Sequence, residues 1–158
     1  MANVPFHYVD LRTFCYATED EKRVEKALRT FLPEDYSIDR AENEGHHGDR
    51  IVVLSARVEN ADDVRYALGR LTELGKIDRV IDELEERIDD KTSLFLRLDK
   101  QAAYMEDVEL GTGITLRGKV EAYPATHPAA VENAREAFSS LRDERQSPDS
   151  DEPPDVAQ

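Results

Sequence analysis

FHYVDLRTFCYA, residues 6–17, decides how this chain folds. Val9, Leu11 and Cys15 fall on one side of an extended backbone, while Phe6, Tyr8, Asp10, Arg12, Phe14 and Tyr16 fall on the other, because side chains of a strand alternate between its faces. The first set is small and apolar and suits a core. The second mixes rings with charges, so the segment predicts a strand whose outer face meets something other than plain solvent.

Working outward, Thr18 followed by Glu21 predicts a capping box, and Val24, Ala27, Leu28 and Phe31 recur at helical spacing until Pro33. Tyr36 to Glu42 reads as a short strand. Ile51 to Val58 reads as another, with Val52, Leu54, Ala56 and Val58 inward and Arg57 outward. Asn60 caps a second helix, whose stripe Val64, Ala67, Leu68, Leu71 and Leu74 stops at Gly75. Ile77, Val80, Ile81, Leu84 and Ile88 mark a third helix with a charged outer face. Ser93 to Leu98 is a strand leading into a single helical turn at 100–105. Val108 to Tyr123 predicts a hairpin around Gly111 and Gly113, and Thr126 caps a last helix with Val131, Ala134, Phe138 and Leu141 on its apolar side. These elements predict an α+β domain, a largely antiparallel sheet with helices on one face.

The chain has 158 residues, enough for one core, and residues 1–145 are expected to form a single domain. The remainder, QSPDSDEPPDVAQ at 146–158, has acids and prolines but no base and no aromatic residue, and is expected to be a disordered acidic tail. No signal peptide or membrane span is visible, and one cysteine, Cys15, fits a reducing compartment, so a cytoplasmic location is expected. The 35 acidic side chains against 21 basic ones give a formal net charge of −14, and the bases are 15 Arg and only 6 Lys. Such a surface suits a cytosol of very high salt, where screening weakens self-repulsion, and this predicts a halophilic protein.

The outward positions of the strands collect Tyr8, Arg12, Phe14, Arg57, Phe95, Arg97, Arg117, Lys119 and Tyr123. Rings stack on bases and guanidinium groups clamp phosphate, so this face is a physically reasonable RNA platform. The competing reading is that the rings bury a dimer interface.

Four runs also match a known pattern in order and spacing: FHYVDLRTFCYATEDEKRV at 6–24, ENEGHHGDRIVVL at 42–54, RIDDKTSLFLRLDKQAAY at 87–104 and KVEAYPATHPAAVENAREAF at 119–138. With these the chain resembles the archaeal RNA-binding protein family described as predicted exosome subunits, over roughly residues 5–142. The resemblance implies RNA binding, a fold similar to the ribosomal protein that holds 5S rRNA, a homodimer and a place in an RNA-processing complex. Its most family-like polar positions are Glu19, Asp20, Gly45, His46, His47, Gly48, Arg97, Asp99, Lys100 and Lys119. Asp49 and Arg50 depart from the small neutral pair usual there.

Glu44, His46, His47 and Asp49 share one Gly-flanked loop, which reads as a metal site, as a phosphate contact through its amides and imidazoles, or as a plain turn. Only His7 and His127 remain as further imidazole ligands, and no metal or other cofactor is expected. Arg97, Asp99 and Lys100 close a strand and open a helical turn, where cations and amides converge on an anion. Cys15 reads as a core residue, and the carboxylates Asp78, Asp82, Glu85, Glu86, Asp89 and Asp90 read as a solvated helix face rather than a two-metal nuclease. No Walker loop, nucleophile elbow or dinucleotide-binding glycine pattern is present. The sequence thus predicts a non-catalytic RNA-binding protein, with a dimeric interaction subunit as the alternative. The predicted RNA contacts are Arg12, His46, His47, Arg57, Arg97, Lys100, Arg117 and Lys119.

Overall fold

Among the described residues, five strands and six helices follow one another in the order β1 (Phe6–Cys15), α1 (Glu21–Arg29), β2 (Asp39–Glu44), β3 (Arg50–Val58), α2 (Ala61–Leu71), α3 (Ile77–Asp82), α4 (Leu84–Arg87), β4 (Ser93–Asp99), α5 (Lys100–Tyr104), β5 (Gly113–Val120) and α6 (His127–Gln146). The structure is a computed structural model and describes residues 4–45 and 48–146. Within one sheet the strands run β2-β3-β1-β5-β4, and every neighbouring pair is antiparallel. The α+β class and the antiparallel sheet are as the sequence predicts.

The helices cover one face. From the strands, Val9, Leu11, Val52, Leu54, Leu94, Leu96, Ile114 and Leu116 are buried together with Val24, Leu28, Leu68, Leu71, Val131 and Phe138 from the helices. Each such side chain contributes about 1.5–3 kcal/mol by leaving water, so the alternating strand pattern alone orients the sheet. Thr13 belongs to the same face and is satisfied there by donating to the Gly113 carbonyl at 2.7 Å.

Phe6 departs from the expected alternation. It is buried, at 6% exposure, and meets Phe138 edge-on with ring centroids 6.3 Å apart. The cause is a β-bulge: Phe6 pairs with Val120 but Tyr8 with Lys119, so His7 is the extra residue and Phe6 turns onto the helix face. Gly118 makes room, because a Cβ there would sit 2.9 Å from the Phe6 ring.

The N-cap of α1 is Asp20, whose carboxylate accepts the Lys22 amide at 3.0 Å, and not Thr18. Asn60 caps α2 as predicted, accepting from the Asp62 amide at 2.8 Å. The third predicted helix is split into α3 and α4 at Glu83, whose carboxylate receives both Arg79 and Arg87. The predicted hairpin at 108–123 does not form. Residues 109–111 instead run along the outer edge of β4, with Asp99 donating to the Glu109 carbonyl at 2.8 Å and Gly111 to that of Arg97 at 3.1 Å, while β5 pairs on β4's other side. Gly111 permits the crossing, since a Cβ there would lie 2.7 Å from Asp99 Cβ. Strand β2 begins at Asp39, and Tyr36 donates its hydroxyl to the Arg57 carbonyl at 2.7 Å. Helix α6 extends through Gln146, and residues 147–158 of the expected tail lie outside the described residues.

Candidate nucleic-acid interface

Among the described residues no helix covers the other face of the sheet, and the strand registers arrange its side chains in rows. Asp10 on β1 is opposite Arg57 of β3 and Arg117 of β5, and Arg117 is opposite Phe95 of β4. One step along, Ser55, Arg12, Thr115 and Arg97 form the next row, reached at the edge by Asp39 of β2. Tyr8 and Lys119 lie on the opposite side of the first row, and Phe14 lies beyond the second. A concavity of about 390 Å³ opens between the first two rows, lined among others by Arg12, Arg57, Phe95, Thr115 and Arg117.

The first row is built rigidly. Arg57 grips Asp10 with two hydrogen bonds of 2.7 and 2.9 Å, and its guanidinium carbon lies 3.9 Å from the centroid of the Tyr8 ring. Those bonds to Asp10 raise Arg57 above its ordinary pKa. Arg117 donates to the Tyr8 hydroxyl at 3.1 Å, and Lys119 donates to the Lys91 carbonyl. In the second row Arg12 leans toward Phe14, 5.6 Å from the ring centroid.

Ion pairing separates this face from the rest of the molecule. Arg23, Arg29, Arg40, Arg50, Arg65, Arg70, Arg79, Arg87, Arg135, Arg142 and Arg145 each stand within ion-pair distance of a carboxylate, and so does Arg57. Among the described residues, the arginines with no such partner are Arg12, Arg97 and Arg117, and all three lie on the open face. A planar cation without a protein acid keeps donors available for an anion from outside, all but the one that Arg117 gives to Tyr8 in the case of that residue.

Of the predicted contacts, Arg12, Arg57, Arg97, Arg117 and Lys119 come together here. Lys100 does not. Its ammonium turns to the Phe14 carbonyl at 2.9 Å and the Glu19 carboxylate at 2.9 Å, while Asp99 caps α5 by accepting the Gln101 amide at 3.2 Å. Burial would raise Glu19, but the Tyr16 amide and the Lys100 ammonium outweigh it and hold the carboxyl below the usual range. His46 and His47 lie outside the described residues. Tyr123 follows the end of β5 and is largely exposed beside the cis Tyr123–Pro124 bond. Arg50, one of the two departures from the family pattern, pairs with Glu42 at 3.3 Å on the opposite side of β3 from the open face.

Two members of the face gain their place in the site only from the order of the strands. Asp10 was in the outward set but its position between two arginines depends on strand order, and Thr115, opposite both Arg12 and Arg97, carries no signal of its own. Among the described residues no group of three or more His, Cys, Asp or Glu side chains is placed to hold a metal ion. Cys15 is buried, which pushes its thiol up, away from the reactive thiolate. No described helix is long and apolar enough to cross a membrane.

An α+β protein that presents an uncovered sheet face bearing guanidinium groups and rings is, as a class, a candidate nucleic-acid platform. A family model described as RNA binding matches residues 8–120, and the chain belongs to that family. A protein of Pyrococcus abyssi named as RNA-binding is 36% identical over 141 residues, which is 82% of this chain and 92% of that protein. Two archaeal structures of DUF54 proteins share the fold. The one from Methanothermobacter thermautotrophicus is 39% identical with a TM-score of 0.72 and covers 84% of this chain and 98% of its own. The one from Archaeglobus fulgidus is 28% identical with a TM-score of 0.75 and covers 84% and 99%.

Proposed function

We propose that this protein binds RNA on the open face of its sheet, through Arg12, Arg97 and Arg117 with Arg57 and Lys119 beside them, and that it serves RNA processing or ribosome-related work without catalysing a reaction. The observation that carries the reading is the set of three arginines without a carboxylate in a chain where acids outnumber bases 35 to 21. On such a surface an acid is close to almost any guanidinium, so arginines left without an ion pair, Arg117 among them although Asp10 across the strand is taken by Arg57, suit an anionic ligand. The net charge of −14 does not oppose this. In strong salt counterion release contributes little, and oriented hydrogen bonds and stacking supply the affinity. We further read residues 1–145 as one domain, similar in fold to the ribosomal protein that holds 5S rRNA, that works as a homodimer within an RNA-processing assembly in the cytoplasm.

Filter binding of structured archaeal RNA in concentrated KCl tests the surface. The double substitution Arg12→Glu with Arg97→Glu is expected to weaken binding by roughly a hundredfold, as two charge-assisted contacts become repulsive. Arg142→Ala, which removes a cation paired with Asp78 away from the face, is expected to leave binding unchanged. Equal binding by the wild type and the double variant would remove the proposed surface.

A further inference from the structure

Two rings are exposed on the open face, and where they stand bears on the form of RNA it suits. Phe95 on β4 is 42% exposed and Phe14 on β1 is 38% exposed. Phe95 shares its row with Arg117 and Asp10, and Phe14 lies four residues beyond Asp10 on the same strand. With strands about 4.8 Å apart and a rise of about 3.3 Å per residue, the two Cα atoms are separated by roughly 16 Å along a diagonal. The row between them holds Arg97 and Arg12, both opposite Thr115. Thr115 therefore sits at the middle of the diagonal, with Arg97 on one side of it and Arg12 on the other. Phe95 has no ring or cation contact among the described residues, and Phe14 has the Arg12 guanidinium carbon over its ring, 5.6 Å from the centroid, and the Tyr16 ring tilted against it at 6.4 Å.

We infer that this diagonal takes an unpaired stretch of RNA, with bases on Phe95 and Phe14 and the intervening phosphates on Arg97 and Arg12. The inference rests on the RNA-binding reading and names its ligand class. A ring can stack only on a base whose own face is free. In a duplex the base faces are covered by their neighbours, and the molecule offers phosphates and 2′-hydroxyls instead. A duplex on this face would satisfy the arginines and leave both phenyl rings against sugar and phosphate. The span suits the roughly two or three bases that a sheet platform stacks. Thr115 supplies a short polar side chain between the rings, and it is not large enough to hold a flattened strand away from the sheet. Charge complementarity favours RNA over a second copy of this chain, since Arg12 and Arg97 would otherwise be covered without an acid on either row position beside them except Asp39 at the β2 edge.

The test is fluorescence anisotropy of the full chain with a labelled eight-nucleotide oligouridine and with a blunt RNA duplex of the same length, at one fixed salt concentration. The single strand is expected to bind at least about tenfold more tightly. Phe95→Leu and Phe14→Leu are each expected to weaken single-strand binding by about tenfold, the loss of one stacked base, and to leave duplex binding unchanged. In a separate salt titration, the slope of log affinity against log salt is expected to be about −1.4 for the single strand, as two phosphate contacts each contribute about −0.7, and Arg97→Ala is expected to reduce its magnitude by about 0.7. Both rings are exposed, so thermal melting of the leucine variants is expected to match the wild type and checks that they fold. Equal or tighter binding of the duplex, or no effect of either leucine substitution, overturns the unpaired-strand assignment while RNA binding by the face stands. Binding of neither RNA by the wild type overturns both. A dimer that Phe95→Glu dissociates, with RNA affinity unchanged, overturns the inference in favour of a second copy covering the rings.

Discussion

Around the helices and the sheet's rim arginines stand against acids, whereas on the open face Arg12, Arg97 and Arg117 do not. The helix side is a surface of short ion pairs such as Arg79 with Glu83 at 2.9 Å and Arg29 with Glu25 at 2.9 Å. Exposed pairs of this kind contribute only about 0.2–1 kcal/mol each, so their consequence is local neutrality more than stability. The open face uses its one firm pair, Arg57 with Asp10, to hold a guanidinium flat on Tyr8, and leaves its other arginines to face outward. The same residue type thus does two jobs in one chain, and what separates them is whether a carboxylate stands within ion-pair distance: even Arg117, opposite Asp10, is left without one because Asp10 is held by Arg57.

Two phenylalanines sharpen the contrast most. Phe6→Ala removes a buried ring from between β5 and α6 and is expected to cost about 3–5 kcal/mol in denaturant unfolding. Phe95→Ala is expected to change stability by less than about 0.5 kcal/mol. If the two cost the same, the division of the sheet into a packed and an open face is wrong.

Thr115→Glu would supply the missing acid to Arg12 and Arg97 at once, since Thr115 is opposite both. RNA affinity is expected to fall by tenfold or more, about 1.5–2 kcal/mol, while cross-strand ion pairing raises stability by a few tenths of a kcal/mol. Retained RNA affinity with raised stability would show that freedom from acids is incidental to binding.

The smallest effect is expected at the site where Lys100 is neutralised. Glu19 titrates below its ordinary range in the folded chain, so its contribution is present above the unfolded value near 4.3 and is lost as pH falls through the lower folded value. Glu19→Gln is expected to lower stability by less than about 1 kcal/mol at neutral pH, an effect reduced by solvent screening. The difference from wild type is expected to close as the medium is acidified below about pH 4. Urea melts at several pH values measure it. A difference that grows in acid would contradict the assigned ion pair.

Much of the open face was legible beforehand because a strand's two-residue period sorts side chains by face without knowledge of the partner strands. Arg12, Arg57, Arg97, Arg117 and Lys119 followed from that period alone. Phe6 did not, because one bulge residue, His7, shifts the parity of what precedes it. Lys100 was read with Arg97 as one anion site on grounds of adjacency, but at a strand-to-helix junction successive side chains diverge, and a long flexible stem carries the ammonium back to Glu19. The hairpin at 108–123 failed for a related reason. Gly111 and Gly113 mark backbone passing close over Asp99 and Lys100, a crossing that resembles a turn when only the local residues are considered.

The sequence by itself determined the class of fold and which side chains leave each strand on which side, since hydrophobic periodicity is a local property of the chain. Strand order was decided only by the tertiary structure, because β3, β1, β5 and β4 become neighbours through contacts between residues far apart in sequence. That order places Asp10 between Arg57 and Arg117 and Thr115 between Arg12 and Arg97. Whether an arginine has an acid beside it is a property of distance in space, and the linear chain does not contain that distance.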